Sequence, residues 1–242
     1  MNILAVDIGG THVKILLSGH EPSERRRFAS GHEMTPDAMM EGIRGILEGW
    51  SFDAVSIGYP GPVRDNKPAV DPWNLGPGWK DYDFTKAFGV PTRVVNDAAM
   101  QALGSYQGGR MLFLGFGTGL GSALIVEGHL QPLELGHLPY RKERTYEDYA
   151  GQAGYDRMGK KKWRKHARAI IEILQTGLQA DYIVLGGGNA KHLGELPEQW
   201  IMGGNQNAFV GGFRLWQEAR EVRGEEPGST TGAKNSGPDF SI

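Results

Sequence analysis

Two stretches of this chain follow one grammar, and together they constrain its fold more than any other feature. Leu4–Lys14 (LAVDIGGTHVK) runs as an apolar segment into an acid, passes through Gly9-Gly10-Thr11, and resumes as an alternating strand through Leu17. Adjacent glycines between two strand-like runs tolerate the positive φ angles of a tight hairpin turn. Met111–Gly128 (MLFLGFGTGLGSALIVEG) repeats the order: apolar strand, Gly117-Thr118-Gly119 turn, apolar strand, closing glycine. The pair predicts an internal duplication of one strand–loop–strand unit. A turn without Cβ atoms lets backbone N–H groups approach an anion, and a threonine hydroxyl adds a donor. Two such loops in related halves predict a nucleotide or polyphosphate gripped between two lobes. Asp7, at the end of the first strand, is placed to hold a hydrated Mg²⁺, which takes hard oxygen ligands and keeps several waters. Two purely structural hairpins are the competing account, and that account leaves both sets of central glycines unexplained.

Composition sets the outer bounds. A chain of 242 residues holds one large domain or two modest ones and buries a substantial core. A net charge of -2 provides no field to recruit nucleic acid or an acidic membrane. There is no cysteine, which excludes disulfides, thiolate zinc sites and a cysteine nucleophile, and fits a reducing compartment. With no basic leader and no apolar run of membrane-spanning length, the expectation is a soluble, cytoplasmic protein.

Between the two hairpin units the order is that of an α/β protein. His20–Thr35 is polar, with an Arg25-Arg26-Arg27 run, and reads as a solvated strand edge or loop. Pro36–Trp50 carries Met39, Met40, Ile43, Ile46 and Leu47 at helical spacing. Asp53–Gly61 is a strand broken by Gly-Tyr-Pro-Gly, so the sequence runs strand, strand, helix, strand. The loop Pro62–Gly78 is long enough to suggest binding, and Asn74 offers a donor and an acceptor suited to a sugar hydroxyl. Taken alone, that loop favours a packed Ω-loop anchored by Trp73 and Trp79.

Thr92–Asn96 reads as a buried strand, followed by Asp97 and a helix over Ala98–Tyr106. An acid at the carboxyl end of a strand, beside a helix N-terminus, occupies the usual ligand crevice of open α/β sheets. The helix dipole favours its ionised form, as a proton acceptor in phosphoryl transfer requires. Asn96-Asp97 before AAMQAL also reads as an N-cap, and one of the two can cap while the other faces a cleft. Farther on, Glu134 and His137 flank a glycine just past a strand and could hold vicinal hydroxyls. Tyr146–Gly151 opens a helical segment and supplies Glu147. The helix Lys160–Leu178 has an apolar stripe at Trp163, Ala167, Ile170, Ile171, Leu174 and Leu178. Its first turns crowd Lys160, Lys161, Lys162, Arg164, Lys165 and Arg168, either a solvated basic face or a guide for polyphosphate. Asp181–Gly188 is a buried strand entering a triple-glycine turn, and Asn207–Ala219 a closing helix whose Gly211-Gly212 pair marks close packing. Val222–Ile242 is polar and unpatterned, as a disordered tail would be.

In this order DIGGTHVK, IGYPGPV, VVNDAAMQALG, GFGTGLGSALIVEGHL, ELGH and VLGGGNAK resemble the ROK family of sugar kinases, from Asn2 to about Trp216. The version here looks most like the polyphosphate- or ATP-dependent glucokinases. The resemblance implies an α/β, two-lobed actin-like ATPase/hexokinase (ribonuclease H-like) fold with an internally duplicated βββαβα-type core and a compact second lobe. Residues 1–105 would form the first lobe, joined by a returning helix at about 206–219, and residues 106–205 the second. It implies phosphoryl transfer from ATP or polyphosphate, with Mg²⁺, to the 6-hydroxyl of a hexose, glucose foremost. Asp97 matches the general base. Gly61, Asn74, Asn96, Glu134, His137 and Glu147 match sugar contacts. Asp7, Gly9, Gly10, Thr11 and Lys14 match the first phosphate loop, with Asp7 holding Mg²⁺ through water. Gly117, Thr118 and Gly119 match the second loop, and Gly186, Gly187 and Gly188 the nucleotide-side loop.

Two departures from the family pattern stand out. The cysteine-rich zinc motif that follows ExGH in many relatives is replaced by LPYRKERTYEDYAG, so no zinc site forms and His137 must be ordered another way. One substantial helix separates Glu147 from the Gly186 loop where longer relatives have several, which trims the wall for adenine. The implied partners are a small-molecule sugar and a phosphoryl donor, with no nucleic acid and no membrane, and a homodimer is an option. The rival readings are a non-catalytic sugar or nucleotide sensor on the same scaffold, and a kinase for another hexose or an N-acetyl hexosamine. A repressor is disfavoured, because repressors of the family carry a helix-turn-helix ahead of the first strand.

Overall fold

A computed structural model of the chain describes residues 1–204 and 206–217. The tail expected over 222–242 and the last residues of the expected closing helix lie outside the described residues. The chain begins with the expected hairpin, β1 (Ile3–Ile8) and β2 (His12–Leu17), paired antiparallel from Leu4↔Leu17 to Ile8↔Val13. β3 (Arg26–Ala29) adds to β2 as an edge, with Arg26 and Phe28 half-buried and Arg27 and Ala29 exposed. The Arg26 guanidinium donates to the Ile46 and Glu48 carbonyls and lies 3.9 Å from the Trp50 ring centroid.

Helix α1 (Pro36–Ile46) starts on Thr35, whose hydroxyl accepts the Ala38 N–H, and buries Met39, Met40 and Ile43 against one face of the sheet. It ends four residues earlier than its apolar pattern suggests, because Leu47 turns back onto the Arg44 carbonyl and Gly49 adopts φ +77°. β4 (Ala54–Tyr59) is buried throughout and runs parallel to β1. The stretch beyond it is not plain loop. It holds a small hairpin, β5 (Val63–Arg64) with β6 (Lys67–Pro68), and the short helix α2 (Phe84–Phe88) capped by Asp83. Trp79 is the expected anchor, fully buried with its indole N–H on the Met34 carbonyl. Trp73 is 98% exposed and anchors nothing. β7 (Thr92–Asn96) completes the sheet order β3-β2-β1-β4-β7 and leads directly into α3 (Asp97–Ser105).

The second sheet is built from β8 (Arg110–Phe116), β9 (Leu120–Val126) and β10 (His129–Leu133) as a meander. Next come a ribbon of β11 (Pro139–Arg141) and β12 (Arg144–Thr145), helix α4 (Tyr146–Ala150) and the long helix α5 (Gln152–Leu178). Strands β13 (Tyr182–Gly186) and β14 (Trp200–Met202) then add parallel to β8, giving the order β10-β9-β8-β13-β14. Each sheet therefore has two antiparallel pairings followed by two parallel ones. Helix α5 is interrupted at Gly159, φ +71°, so its second piece begins where the sequence places the basic helix. Trp163, Ala167, Ile170, Ile171 and Leu174 bury against Leu112, Leu114, Ile183 and Leu185 of the second sheet.

Helix α6 (Asn207–Arg214) returns to the first sheet, on the face opposite α1. Phe209 packs with Ala5 and Leu16, and the Ser56 hydroxyl donates to the Gly212 carbonyl. Its helical turns end at Arg214, earlier than Ala219. Leu215 and Trp216 form a turn in which the Trp216 indole N–H reaches the Ser56 hydroxyl.

Candidate active site

Parallel pairing brings the carboxyl ends of β1, β4 and β7 together, with Asp7 beside Gly58 and Tyr59 beside Asn96. Side-chain alternation decides which residues face the site. Val6, Ile8, Val13 and Ile15 point into the α1 core, so Asp7 and Lys14 stand on the other face, the face that carries α6. They are a directly opposed cross-strand pair, and the Lys14 ammonium donates to Asp7 Oδ2 at 2.8 Å. The ion pair engages one carboxylate oxygen and leaves Oδ1 free.

The positive φ expected of the glycines in both hairpin turns is not found. None of Gly9, Gly10, Gly117 and Gly119 adopts a left-handed φ. Gly10 and Gly119 allow close approach of side chains, whereas a Cβ on Gly117 would meet nothing within 4 Å. A Cβ on Gly10 would overlap the Asn74 side-chain amide, and a Cβ on Gly119 would overlap the Glu147 carboxylate. Asn74 is thus brought against the first turn. Glu147 braces the second, its Oε2 accepting the Leu120 N–H at 3.1 Å, so one oxygen of this expected sugar contact is already engaged. Thr11 and Thr118 stand exposed at the tips of their turns.

Of the Asn96-Asp97 pair, Asn96 is the cap. Its Oδ1 accepts the Ala98 and Ala99 N–H groups, while its Nδ2 donates to the Gly61 carbonyl at 3.2 Å and ties the Gly61 bend to α3. Asp97 is the first residue of α3 and accepts the Ala98 N–H at 2.7 Å. Its acidity differs from the dipole-based expectation. Burial, chiefly, and the neighbouring Asp7 carboxylate push its pKa up to about 7, with Glu134 adding to the rise and the Ala98 N–H opposing it. The helix terminus is outweighed because an ionised carboxylate out of water beside another acid is costly. The N-terminus of α3 also touches the second hairpin: a Cβ on Gly121 would meet the Ala98 methyl. Asp97 therefore senses acids from both sheets, Asp7 from the first and Glu134 from beside the second.

Glu134 precedes and His137 ends a short 3₁₀ turn, Leu135–His137, with His137 Nε2 and Glu134 Oε2 3.7 Å apart and the Glu134 and His137 side chains 48% and 68% exposed. Burial raises the Glu134 pKa, the His137 imidazole lowers it, and Glu147 raises it further. On the second sheet, Gly186 sits beside Gly115, so the triple-glycine turn adjoins the Gly117 turn. Gly187, φ +81°, lies against the Phe116 backbone, where a side chain would not fit. Two residues absent from the sequence-based list hold these turns together. The Gln152 N–H donates to the Gly117 and Thr118 carbonyls. The buried Asn189 amide donates to Gln152 Oε1 at 2.9 Å and to the Gly117 carbonyl at 3.5 Å. Asn189 had a signal, a carboxamide directly after three glycines; Gln152 had none.

Among the described residues no group of three or more His, Asp or Glu side chains could hold a metal ion. The chemistry of Asp7, one hard oxygen with the other on Lys14, fits an Mg²⁺ held mainly by water and donor phosphates. No helix among the described residues is long and apolar enough to cross a membrane.

The ROK family model matches residues 3–146, more than half of the chain. The N-acetylmannosamine kinase of Salmonella typhimurium strain LT2 is 31% identical over 144 residues, covering 54% of this chain and 49% of that protein. The chain thus spans about half the length of the curated relatives it matches. Among solved structures, the inorganic polyphosphate/ATP-glucomannokinase from Arthrobacter sp. strain KM superposes with a TM-score of 0.74 at 23% identity, covering 91% of this chain and 98% of that one. A ROK family glucokinase from Streptomyces griseus, in complex with glucose and AMPPNP, gives 0.69 at 18% identity, covering 87% and 97%. At such identities the likeness shows the fold, α/β of the actin-like ATPase and hexokinase type. On its motifs, its fold and a family model that spans both the first hairpin and the Asp97 segment, this chain belongs to the ROK family.

Proposed function

We propose that the chain is a sugar kinase, moving a phosphoryl group from polyphosphate or ATP to the 6-hydroxyl of a hexose, most simply glucose. The observation that carries this reading is Asp97 at the start of α3, a carboxylate near Asp7 of the first sheet and Glu134 beside the second, whose pKa burial and Asp7 push up to about 7. A base is most effective when its pKa lies near the working pH. Residues 1–105 with α6 act as one lobe and 106–205 as the other, with the sugar between them.

In this mechanism the Asp97 carboxylate accepts the 6-hydroxyl proton as the sugar oxygen bonds to the terminal phosphorus. The bridging P–O bond breaks, and the shortened donor leaves with its electron pair. Asn96, Glu134, His137 and the Gly61 bend orient the ring. The Gly9–Thr11 and Gly117–Gly119 turns offer N–H groups and threonine hydroxyls to the phosphates, and the Gly186–Gly188 turn lines the donor side. Lys14 holds Asp7, and Gln152 with Asn189 fixes the second turn. A bound Mg²⁺ supplies charge neutralisation on the donor phosphates, and Asp7 Oδ1 would hold it through water.

The donor reading draws on helix α5. Arg164 and Arg168 are engaged with the carbonyls of His192, Leu193 and Glu195, whereas Lys160, Lys161, Lys162 and Lys165 are exposed. Those four lysines supply the positive charge for a polyphosphate strand. A second acceptor reading, an N-acetyl hexosamine, is favoured by the 31% identity to N-acetylmannosamine kinase. A site of this kind belongs in the cytoplasm, where its donors are found.

A coupled assay crossing glucose, mannose, N-acetylmannosamine and N-acetylglucosamine with ATP and long-chain polyphosphate tests the proposal. At least one pair should turn over; consumption of neither donor with any sugar would leave a sensor. The same assay has an expected pH profile. The reactive form of Asp97 is ionised, so kcat/KM for the sugar should fall tenfold per unit below about pH 7 and flatten above it. A profile level down to pH 5 removes Asp97 as the base.

A further inference from the structure

Glu134 and His137 lead into the ribbon β11–β12, which is weakly built by itself. Its strands have three and two residues, its register shifts between Pro139 and Arg141, and Lys142 and Glu143 at its turn both adopt left-handed φ, 51° and 58°. A lone two-stranded ribbon of this size is marginal in water. What attaches it is a cluster of rings that the proposed chemistry does not use. Tyr140 of β11 packs on Tyr146 and Tyr149 of α4, with centroids 5.3 and 5.1 Å away, and on His166 of α5 at 5.8 Å. Tyr149 and His166 meet at 4.7 Å. The Tyr140 hydroxyl lies 3.3 Å from His166 Nδ1. Below it, the Tyr146 N–H donates to the Leu138 carbonyl at 3.0 Å.

His166 is suited to act as the acceptor in this contact. Burial lowers its pKa, and the Arg141 and Lys165 cations lower it further. A neutral imidazole protonated on Nε2 presents Nδ1 as an acceptor to the tyrosine hydroxyl. Arg141 lies 5.1 Å from the Tyr140 centroid and Arg157 5.7 Å from that of Tyr149, so two cations sit over ring faces of the cluster, with Asp148 on α4 beside Arg157. Helix α5 is itself fixed to the second sheet through Trp163, Ala167 and Ile170. The chain from Glu134 to Tyr146 is therefore pinned at its middle onto a rigid element.

We propose that Tyr140 and His166 are positioning residues: a metal-free clamp that holds the Glu134–His137 segment where it meets the sugar. The sugar half of this inference rests on the kinase reading above; the clamp itself does not. Tyr140→Phe keeps the ring and removes the hydroxyl. It should raise the sugar KM and calorimetric Kd about fivefold, the loss of one part-buried hydrogen bond, with kcat and donor KM within about twofold. Backbone amides of 136–145 should exchange hydrogen faster while those of α5 keep their protection. His166→Ala should match it, and the double variant should be no worse than His166→Ala alone, because the two residues act through one contact. His166→Asn, which restores an acceptor, should recover part of the affinity, and it serves as the test should Tyr140→Phe fail to fold.

Unchanged exchange in the folded Tyr140→Phe protein overturns the clamp. Faster exchange with an unchanged sugar Kd, or equal losses for sugar and donor, overturns its role in sugar positioning. If the wild-type chain neither binds nor phosphorylates any sugar, the kinase reading fails instead, and the exchange rates decide the clamp on their own.

Discussion

Asp97→Asn is expected to lower kcat by about 10³–10⁴-fold while sugar affinity stays within about threefold of wild type. Asparagine has the shape of aspartate and still offers Oδ1 to the Ala98 N–H, so the start of α3 keeps its geometry. It cannot take a proton. Glu134 is not expected to substitute, because its carboxylate is held 3.7 Å from His137 Nε2. The sign of the linkage predicts that the variant keeps its fold. The folded pKa of Asp97, about 7, lies above its ordinary value of 3.8, so the stability associated with this group is full below the lower value and is lost as pH rises through the higher one. Removing the carboxylate abolishes that loss, and the variant should melt at the same temperature as wild type or higher at pH 8, with the gap closing near pH 4. Kinetics, calorimetry and melting curves at both pH values check the set. Turnover close to wild type would refute the assignment of the base, and a parallel collapse of sugar binding would make Asp97 a binding residue.

Much of this arrangement was legible in the sequence because it follows from periodicity and register. The hairpin symmetric about Gly9–Thr11 sets Asp7 opposite Lys14, and three parallel strands bring Asp7, Gly61 and Asn96-Asp97 to one edge. The break before Lys160 and the buried stripe behind it also follow from local pattern. Features that depend on distant segments meeting were not legible. Nothing near Gly10 or Gly119 announces that Asn74 and Glu147 will lie against them, so from the sequence the glycines read only as devices for left-handed φ and for anion approach. Local reasoning about the α3 dipole gave Asp97 the wrong acidity, since its burial and its proximity to Asp7 are tertiary facts. Helix α2 was hidden because five residues are too few to show a period.

The largest stability effect is expected from Gly211→Ala. Helices α3 and α6 cross at backbone contact. A Cβ on Gly211 would collide with the Met100 carbonyl and approach the Gly104 nitrogen, and one on Gly104 would collide with the Asn207 carbonyl. No rotamer relieves such a clash, because the obstructing atoms are main chain. Nor can α6 slide aside. Asn207 Nδ2 donates to the Ser105 hydroxyl, Arg214 to the Leu103 and Tyr106 carbonyls, and Gly212 is fixed by Ser56. The helices must separate, at a cost of about 3 kcal/mol. For a chain of this size that is a fall of about 6–12 °C in Tm. Gly177→Ala in α5, where the added methyl meets nothing within 4 Å, is the matched control and should stabilise by about 0.5–1 kcal/mol. The variant should also lose kcat in its folded fraction. α3 carries Asp97 at its first residue, and a displacement of about 1 Å at a reacting group costs on the order of a hundredfold. A Gly211→Ala protein that melts within 2 °C of wild type, on a scale where about 1 kcal/mol shifts Tm by 2–4 °C, would show that α6 does not press on α3 this closely in solution.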